Sequence, residues 1–187
     1  MLILLDRDGV LNEDRDDFVK TPDELVLLPG AAEAVRALND AGHILALVTN
    51  QSAVGRGIIS AARLEEIHQA LRSKLARAGA RLDHIEICTD PPWADSDRRK
   101  PAPGMLRAML ARFRTAPAEA VMIGDDLRDL DAALAAGIPR ILVRTGKGAR
   151  LQAQGLPPHI LPVSVYDDLA EAARALTTGL RGGRDEQ

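Results

Sequence analysis

The sequence predicts an α/β fold built on a doubly wound, mainly parallel, Rossmann-like sheet, and three observations carry that reading. Short runs rich in Ile, Val and Leu alternate with Ala-rich segments of helical period, the pattern of repeated strand-crossover-strand units. Most of these apolar runs have no polar face, as expected of strands covered on both sides. Three glycines, Gly42, Gly79 and Gly137, fall where helix C-caps are expected.

In chain order, residues 2–5 form the first predicted strand, followed by a helix over 31–41 that Gly42 closes. The strand at 44–48 leads into a helix over 61–78 closed by Gly79, and the strand at 85–88 into a helix over 104–113. A strand at 120–123, a helix over 127–136 closed by Gly137 and a strand at 140–143 continue the alternation. A less regular apolar run predicts a sixth strand near 160–165, and a last helix spans 167–176. No linker splits this series, so one domain over residues 1–181 is expected, with the polar stretch 182–187 a fraying tail.

Composition narrows the function. With 24 Lys plus Arg against 27 Asp plus Glu, the net charge of −3 excludes binding to nucleic acid by bulk charge. The four aromatic residues, Phe18, Trp93, Phe113 and Tyr166, are too few for base-stacking platforms. Cys88, the only cysteine, cannot form an internal disulfide, and the opening residues 1–6 are too short and too soon charged for a signal peptide. A reducing cytoplasm is therefore expected. No uncharged apolar stretch approaches the roughly 20 residues a bilayer requires, so no membrane is expected, and the chain is expected to act as a monomer on a small molecule.

The loops after the first four strands carry Asp6-Arg7-Asp8-Gly9, Thr49-Asn50-Gln51-Ser52, Arg99-Lys100-Pro101 and Gly124-Asp125-Asp126. Doubly wound sheets bind ligands at the carboxyl ends of their strands, so these four clusters converge on one edge. Asp6 and Asp8 stand at i and i+2 of an extended segment and point the same way. Two carboxylates so placed repel unless a cation or a proton lies between them, and Mg²⁺, a hard ion held by carboxylates and phosphate oxygens, fits that need. A solvated Asp-Gly turn would also account for the pair. Asp125 and Asp126 suit helix capping, which is compatible with holding a metal. Thr49, Asn50 and Gln51 are an ordinary polar loop or neutral donors to phosphate oxygens. Lys100 is a solvated charge at a helix start or the counter-charge of a phosphate above carboxylates.

Together, Asp6-Arg7-Asp8-Gly9-Val10-Leu11-Asn12, Thr49-Asn50-Gln51-Ser52, Arg99-Lys100-Pro101-Ala102-Pro103-Gly104-Met105 and Gly124-Asp125-Asp126-Leu127-Arg128-Asp129 resemble the four ordered motifs of the haloacid dehalogenase superfamily. Their wording is similar to the branch of D-glycero-D-manno-heptose 1,7-bisphosphate and histidinol-phosphate phosphatases, as is Arg144-Thr145-Gly146-Lys147-Gly148. The resemblance implies phosphomonoester hydrolysis through an aspartyl-phosphate, with the 7-phosphate of the heptose bisphosphate ahead of histidinol phosphate as the group removed. It makes Asp6 the nucleophile and Asp8 the acid and then the base, a role that suits a carboxyl of raised pKa. It assigns Mg²⁺ to Asp6, the backbone carbonyl of Asp8 and Asp125, with Asp126 a further candidate. Thr49 and Lys100 join the catalytic set, with Lys100 pairing with Asp6, and Arg7, Asp14, Asp17, Asn50, Gln51, Ser52 and Arg99 are the expected phosphate and substrate contacts.

The sequence also departs from that branch. Many of its members carry a four-ligand Cys/His zinc loop, whereas residues 88–98 here hold only Cys88, so no structural zinc is expected. Relatives often place Lys where this chain has Asp126. Too few residues follow the first and third strands to build a cap domain, so the fold is expected to be capless and specificity to come from 13–18, the loop around Trp93, and 51–56. Two other classes share single features. A phosphorelay receiver has an acidic Mg²⁺ site, but its acceptor Asp follows a central strand of a shorter domain. A silent phosphosugar-binding module has no use for a carboxylate at the point of attack. A Ser-His hydrolase would need a Gly-x-Ser-x-Gly elbow, which is missing.

Overall fold

Successive side chains of a strand point to opposite faces, and the first strand uses both. Leu2 and Leu4 pack into one hydrophobic cluster, Ile3 and Leu5 into another, and all four are buried. The absence of polar alternation is thus the signature of a sheet with helices on both sides. In the computed structural model, which describes residues 1–178, the elements run β1 (Leu2–Leu5), α1 (Ala31–Asp40), β2 (Ile44–Asn50), α2 (Ser52–Gly55), α3 (Ala61–Arg77), β3 (His84–Cys88), α4 (Gly104–Phe113), β4 (Ala120–Gly124), α5 (Leu127–Ala136), β5 (Arg140–Val143), α6 (Gly148–Ala153), β6 (Ser164–Tyr166) and α7 (Leu169–Thr177). The expected tail, 182–187, lies outside the described residues.

The six strands pair in the order β3-β2-β1-β4-β5-β6, every pair parallel, with Leu2 in register with Ile44 on one side and Ala120 on the other. α1, α3 and α7 cover the face reached by Ile3 and Leu5, while α4 and α5 cover the face reached by Leu2 and Leu4. Chain direction across the sheet reverses between β1 and β4, which opens a crevice at their carboxyl ends. The β1–α1 connection holds a single 3-10 turn at Pro22–Glu24 and the β3–α4 connection no regular element, so among the described residues neither carries a cap. No helix of the described residues is long and apolar enough to cross a membrane.

Beyond one-residue shifts at the ends of α1, α3, β3 and β4, four details differ from the sequence reading. β2 runs two residues further, because Thr49 and Asn50 still pair in register with Ile87 and Cys88. The sixth strand is short and late: Pro158–Ile160 forms a 3-10 turn, and prolines at 157, 158 and 162 lack the N–H a ladder requires. The last helix begins at Leu169 rather than at 167, since the Asp168 side chain accepts from Glu171 N and so acts as its N-cap. The short helices α2 and α6 escape notice in the sequence because four and six residues carry too little periodicity.

Candidate active site

The crevice is built first from backbone. Asp6 N donates to Ile123 O at 3.0 Å, which carries the β1–β4 pairing one residue beyond β1. The chain then turns, and the Arg7 carbonyl accepts from the N–H groups of Leu11 and Asn12 at 2.8 and 3.1 Å. Gly9 (φ +80°) lies so close to Asp125 that a β-carbon there would stand 2.3 Å from Asp125 Oδ2. Gly146 (φ +56°) approaches the same oxygen from the loop after β5, where a β-carbon would stand at 2.1 Å. Lys147 N donates to that oxygen at 2.8 Å. Two glycines in left-handed backbone and one amide therefore cradle the Asp125 carboxylate at the end of β4.

Lys100 enters from the opposite wall. Its backbone is clamped by Asn50, whose Nδ2 donates to Lys100 O at 3.0 Å and whose Oδ1 accepts from Lys100 N at 3.1 Å. The buried ammonium donates to Val48 O at 2.8 Å and stands 2.9 Å from Asp6 Oδ1 and 2.6 Å from Asp129 Oδ1. Burial works against its charge, but the two carboxylates outweigh burial and raise the lysine's pKa. Asp6, Asp125 and Asp129 offer oxygens that all lie within 4.8 Å of one another. Burial first, then Asp129 and Asp8, push Asp6 up to about 6 against the opposing pull of Lys100, and burial with Asp129 and Asp6 pushes Asp125 up to about 8. At an effective dielectric of about 20, two unit charges about 5 Å apart repel by roughly 3 kcal/mol. One ammonium cannot balance three carboxylates.

Asp8 sits beside this cluster in a polar net. Its Oδ1 accepts from Arg7 Nη2 and Asn12 Nδ2, both at 2.9 Å, and its Oδ2 from Gln51 Nε2 at 2.8 Å. Burial raises its pKa, but the Arg7 charge and these hydrogen bonds more than offset it, so Asp8 is held below the ordinary carboxylate value. The raised pKa expected from the sequence is therefore corrected: Arg7, Asn12 and Gln51 all stabilise the charged form.

The cavity, of about 220 Å³, is lined by Asp6, Arg7, Asp8, Asp14, Asn50, Gln51, Ser52, Arg99, Lys100, Asp125 and Asp126, as the sequence expects, by Arg15, Asp16 and Phe18 of the segment expected to give specificity, and also by Val19, Arg128, Asp129 and Lys147. Several expected roles change. Asp17 lies off the cavity, paired with Arg15 and Lys20 at the surface. Thr49 is buried behind it, its Oγ1 accepting from Gln51 Nε2 at 2.9 Å. Arg7, only 1% exposed, gives its donors to Asp8 and His68 rather than presenting them to a ligand. Asn50 engages both ends of its amide with the Lys100 backbone. Asp126 stands outside the carboxylate cluster: it caps α5, accepting from Arg128 N at 3.0 Å and from the Arg128 guanidinium.

Asp129 is the main residue that the sequence reading left without a role. It is Asp126's partner in a capping box, accepting from Asp126 N at 3.2 Å, and the Asp-Leu-Arg-Asp spacing was the available signal. Of the three segments expected to give specificity, each contributes one side chain to a common stack: Arg56 lies over the rings of Phe18 and Trp93, 5.7 and 5.1 Å from their centroids. The 89–99 loop is tied internally: Ser96 Oγ donates to Asp90 Oδ2 at 2.6 Å, Cys88 Sγ to the same oxygen at 3.4 Å, and Arg99 Nη1 to Asp90 O at 3.0 Å.

A carboxylate pair after β1, a buried lysine after β3 and acidic residues after β4, at the switch point of a parallel sheet, define a hydrolase of the haloacid dehalogenase type. Residues 97–172 match the HAD-hydrolase-like family model. The chain is 43% identical over 94% of its length to the D-glycero-beta-D-manno-heptose-1,7-bisphosphate 7-phosphatase of Pseudomonas putida, covering 98% of that protein, and 41% identical to that of Pseudomonas aeruginosa, covering 97%. It superposes with a TM-score of 0.91 and 42% identity on the crystal structure of D,D-heptose 1,7-bisphosphate phosphatase from B. bronchiseptica complexed with magnesium and phosphate, covering 95% of this chain and 98% of that one. The chain belongs to the D-glycero-D-manno-heptose-1,7-bisphosphate phosphatase family, and it is a phosphatase.

Proposed function

We propose that this protein removes the 7-phosphate of D-glycero-D-manno-heptose 1,7-bisphosphate by way of an aspartyl-phosphate. The contact of buried Lys100 with Asp6 carries the reading, because it places a permanent positive charge against a carboxylate inside a ligand-sized cavity. A carboxylate oxygen of Asp6 attacks phosphorus in line, and the bond from phosphorus to the sugar oxygen breaks. Asp8, which its partners hold ionised in the free protein, takes up a proton as the anionic phosphate arrives beside it and gives that proton to the departing oxygen. Water then attacks the phosphorus, Asp8 takes the water's proton, the acyl-phosphate P–O bond breaks, and inorganic phosphate leaves. Lys100 stabilises negative charge on the transferred group, and Arg99, Ser52 and Gln51 stand in the lining where phosphate or sugar oxygens are received.

The residues fit a divalent ion. Asp6 Oδ1 is buried 2.9 Å from Lys100, an ammonium already shared with Asp129, and the three clustered carboxylates exceed that single ammonium in charge. Asp6 and Asp125, with the Asp8 carbonyl, are the groups that would hold Mg²⁺, while Asp129 is engaged by Lys100. Bound there, the ion would supply positive charge between anionic nucleophile and anionic phosphate. We infer a cytoplasmic, single-domain monomer without structural zinc.

The test is a phosphate-release screen over sugar mono- and bisphosphates, histidinol phosphate and nucleotides. Selectivity for the heptose bisphosphate supports the proposal; preference for histidinol phosphate would leave the chemistry standing and replace the substrate, and a stable phosphoprotein with no turnover would favour a receiver-like role.

A further inference from the structure

The central turns of α3 carry a polar side chain where the rest of that face is aliphatic. Leu64, Ile67, Leu71 and Leu75 pack inward, and His68, 1% exposed, lies among them. Its Nε2 stands 3.3 Å from Arg7 Nη1. Arginine can only donate, so Nε2 accepts and the ring proton sits on Nδ1. Nδ1 is itself buried without a hydrogen-bond partner. A buried donor left without a partner in a core position calls for an explanation beyond packing.

Its contact leads directly to the proton-transfer group. Arg7 reaches His68 with one terminal nitrogen and Asp8 Oδ1 with the other, at 2.9 Å, while Asn12 donates to that same oxygen and Gln51 holds Oδ2. Asn12 and Gln51 restrain Asp8 from its own loop and from the end of β2. Only the Arg7 link ties it to α3, and the guanidinium's planar fork transmits orientation between its two partners. Burial and the Arg7 charge depress the His68 pKa to about 3, so the ring stays a neutral acceptor.

We propose that His68 is a positioning residue: by accepting from Arg7 it orients the guanidinium that holds Asp8 at the leaving oxygen. The inference rests on the role given to Asp8 above. It concerns α3, a segment with no other share in the site, and makes the reaction depend on the seating of that helix.

The test compares His68→Leu, which fills the space and removes the acceptor, with His68→Gln, which restores an acceptor. The Leu variant is expected to melt no lower than the wild type, to keep its KM, and to lose about 100-fold in kcat on the sugar phosphate, the scale of a misplaced catalytic group. With 4-nitrophenyl phosphate, whose leaving group needs no proton, the first half-reaction, read as the pre-steady-state burst of 4-nitrophenolate, should lose far less, because Asp8 is then needed only for the attack of water. The Gln variant should recover a large part of kcat. An unchanged kcat in the Leu variant, or equal losses in the first half-reaction on the two substrates, would overturn the inference while leaving the roles of Asp6 and Asp8 untouched. Those are tested separately by Asp6→Asn and Asp8→Asn.

Discussion

The Lys100 ammonium lies closer to Asp129, at 2.6 Å, than to Asp6, at 2.9 Å. The lysine that faces the nucleophile is thus anchored from behind by a carboxylate of α5, and the two walls of the crevice are joined through one charge.

Removing that charge uncovers three carboxylates at once. Lys100→Ala should lower kcat by about 100- to 1000-fold, the usual cost of losing a preorganised donor to developing negative charge. Arg98, two residues away, pairs with Glu86 at the surface, so Arg98→Ala should cost little. Steady-state kinetics of both variants on one substrate settles the point, and equal small losses would reduce the basic run to a solvated helix start.

Attack and proton transfer are separate events and should separate in mutants. Asp6→Asn is expected to abolish turnover and any acid-stable phosphoprotein trapped by rapid quench. Asp8→Asn should slow both half-reactions by about 100- to 10,000-fold, the range for general acid–base groups. Retention of even a tenth of the wild-type rate by Asp6→Asn would rule out the covalent route.

Chelation should stop catalysis reversibly, with Mg²⁺ restoring it, and elemental analysis should find no stoichiometric zinc. Gly146→Ala should raise the Mg²⁺ concentration needed for half-maximal rate, because its β-carbon would collide with Asp125 Oδ2. One tightly held zinc per chain would contradict the reading of Cys88.

Asp126 gives a prediction on stability. Burial opposes its charge, but Arg128 holds its pKa down to about 2 in the folded state against an ordinary value of 3.8. A depressed carboxylate stabilises the fold above its unfolded pKa and stops doing so as pH falls through the folded one. Asp126→Ala should therefore cost about 1 kcal/mol at neutral pH, the worth of an N-cap. That difference should shrink between about pH 4 and pH 2 in urea melts, and a difference constant with pH would show that charge has no part in it.

Legibility in the sequence followed the range of the interaction. β1, β4 and β5 are readable because burial on both faces leaves an unbroken apolar run, and Asp6 and Asp125 because each follows such a run; Lys100, well beyond the half-buried β3, was readable only through its Arg-Lys-Pro wording. His68 and Asn12 were not readable as parts of the site. The role of His68 arises from a contact spanning 61 residues, and on α3 it resembles any half-polar core position. Asp17 was misread for the opposite reason: it sits in a loop whose neighbours do line the cavity, but a local ion pair with Arg15 turns it outward.

The strand order has a consequence for how the protein comes to life during folding. Asp6, Asn50, Lys100 and Asp125 meet only after β1 has been sandwiched between β2 and β4, pairings that close chain loops of about forty and over a hundred residues. Activity is then a late reporter of folding, gained when the centre of the sheet closes rather than when its helices form. A fragment such as 97–172 retains Lys100 and Asp125 but leaves the edge of β4 that β1 covers exposed. In refolding experiments, regain of turnover should trail the recovery of helical signal, and that fragment should be prone to associate through its open strand.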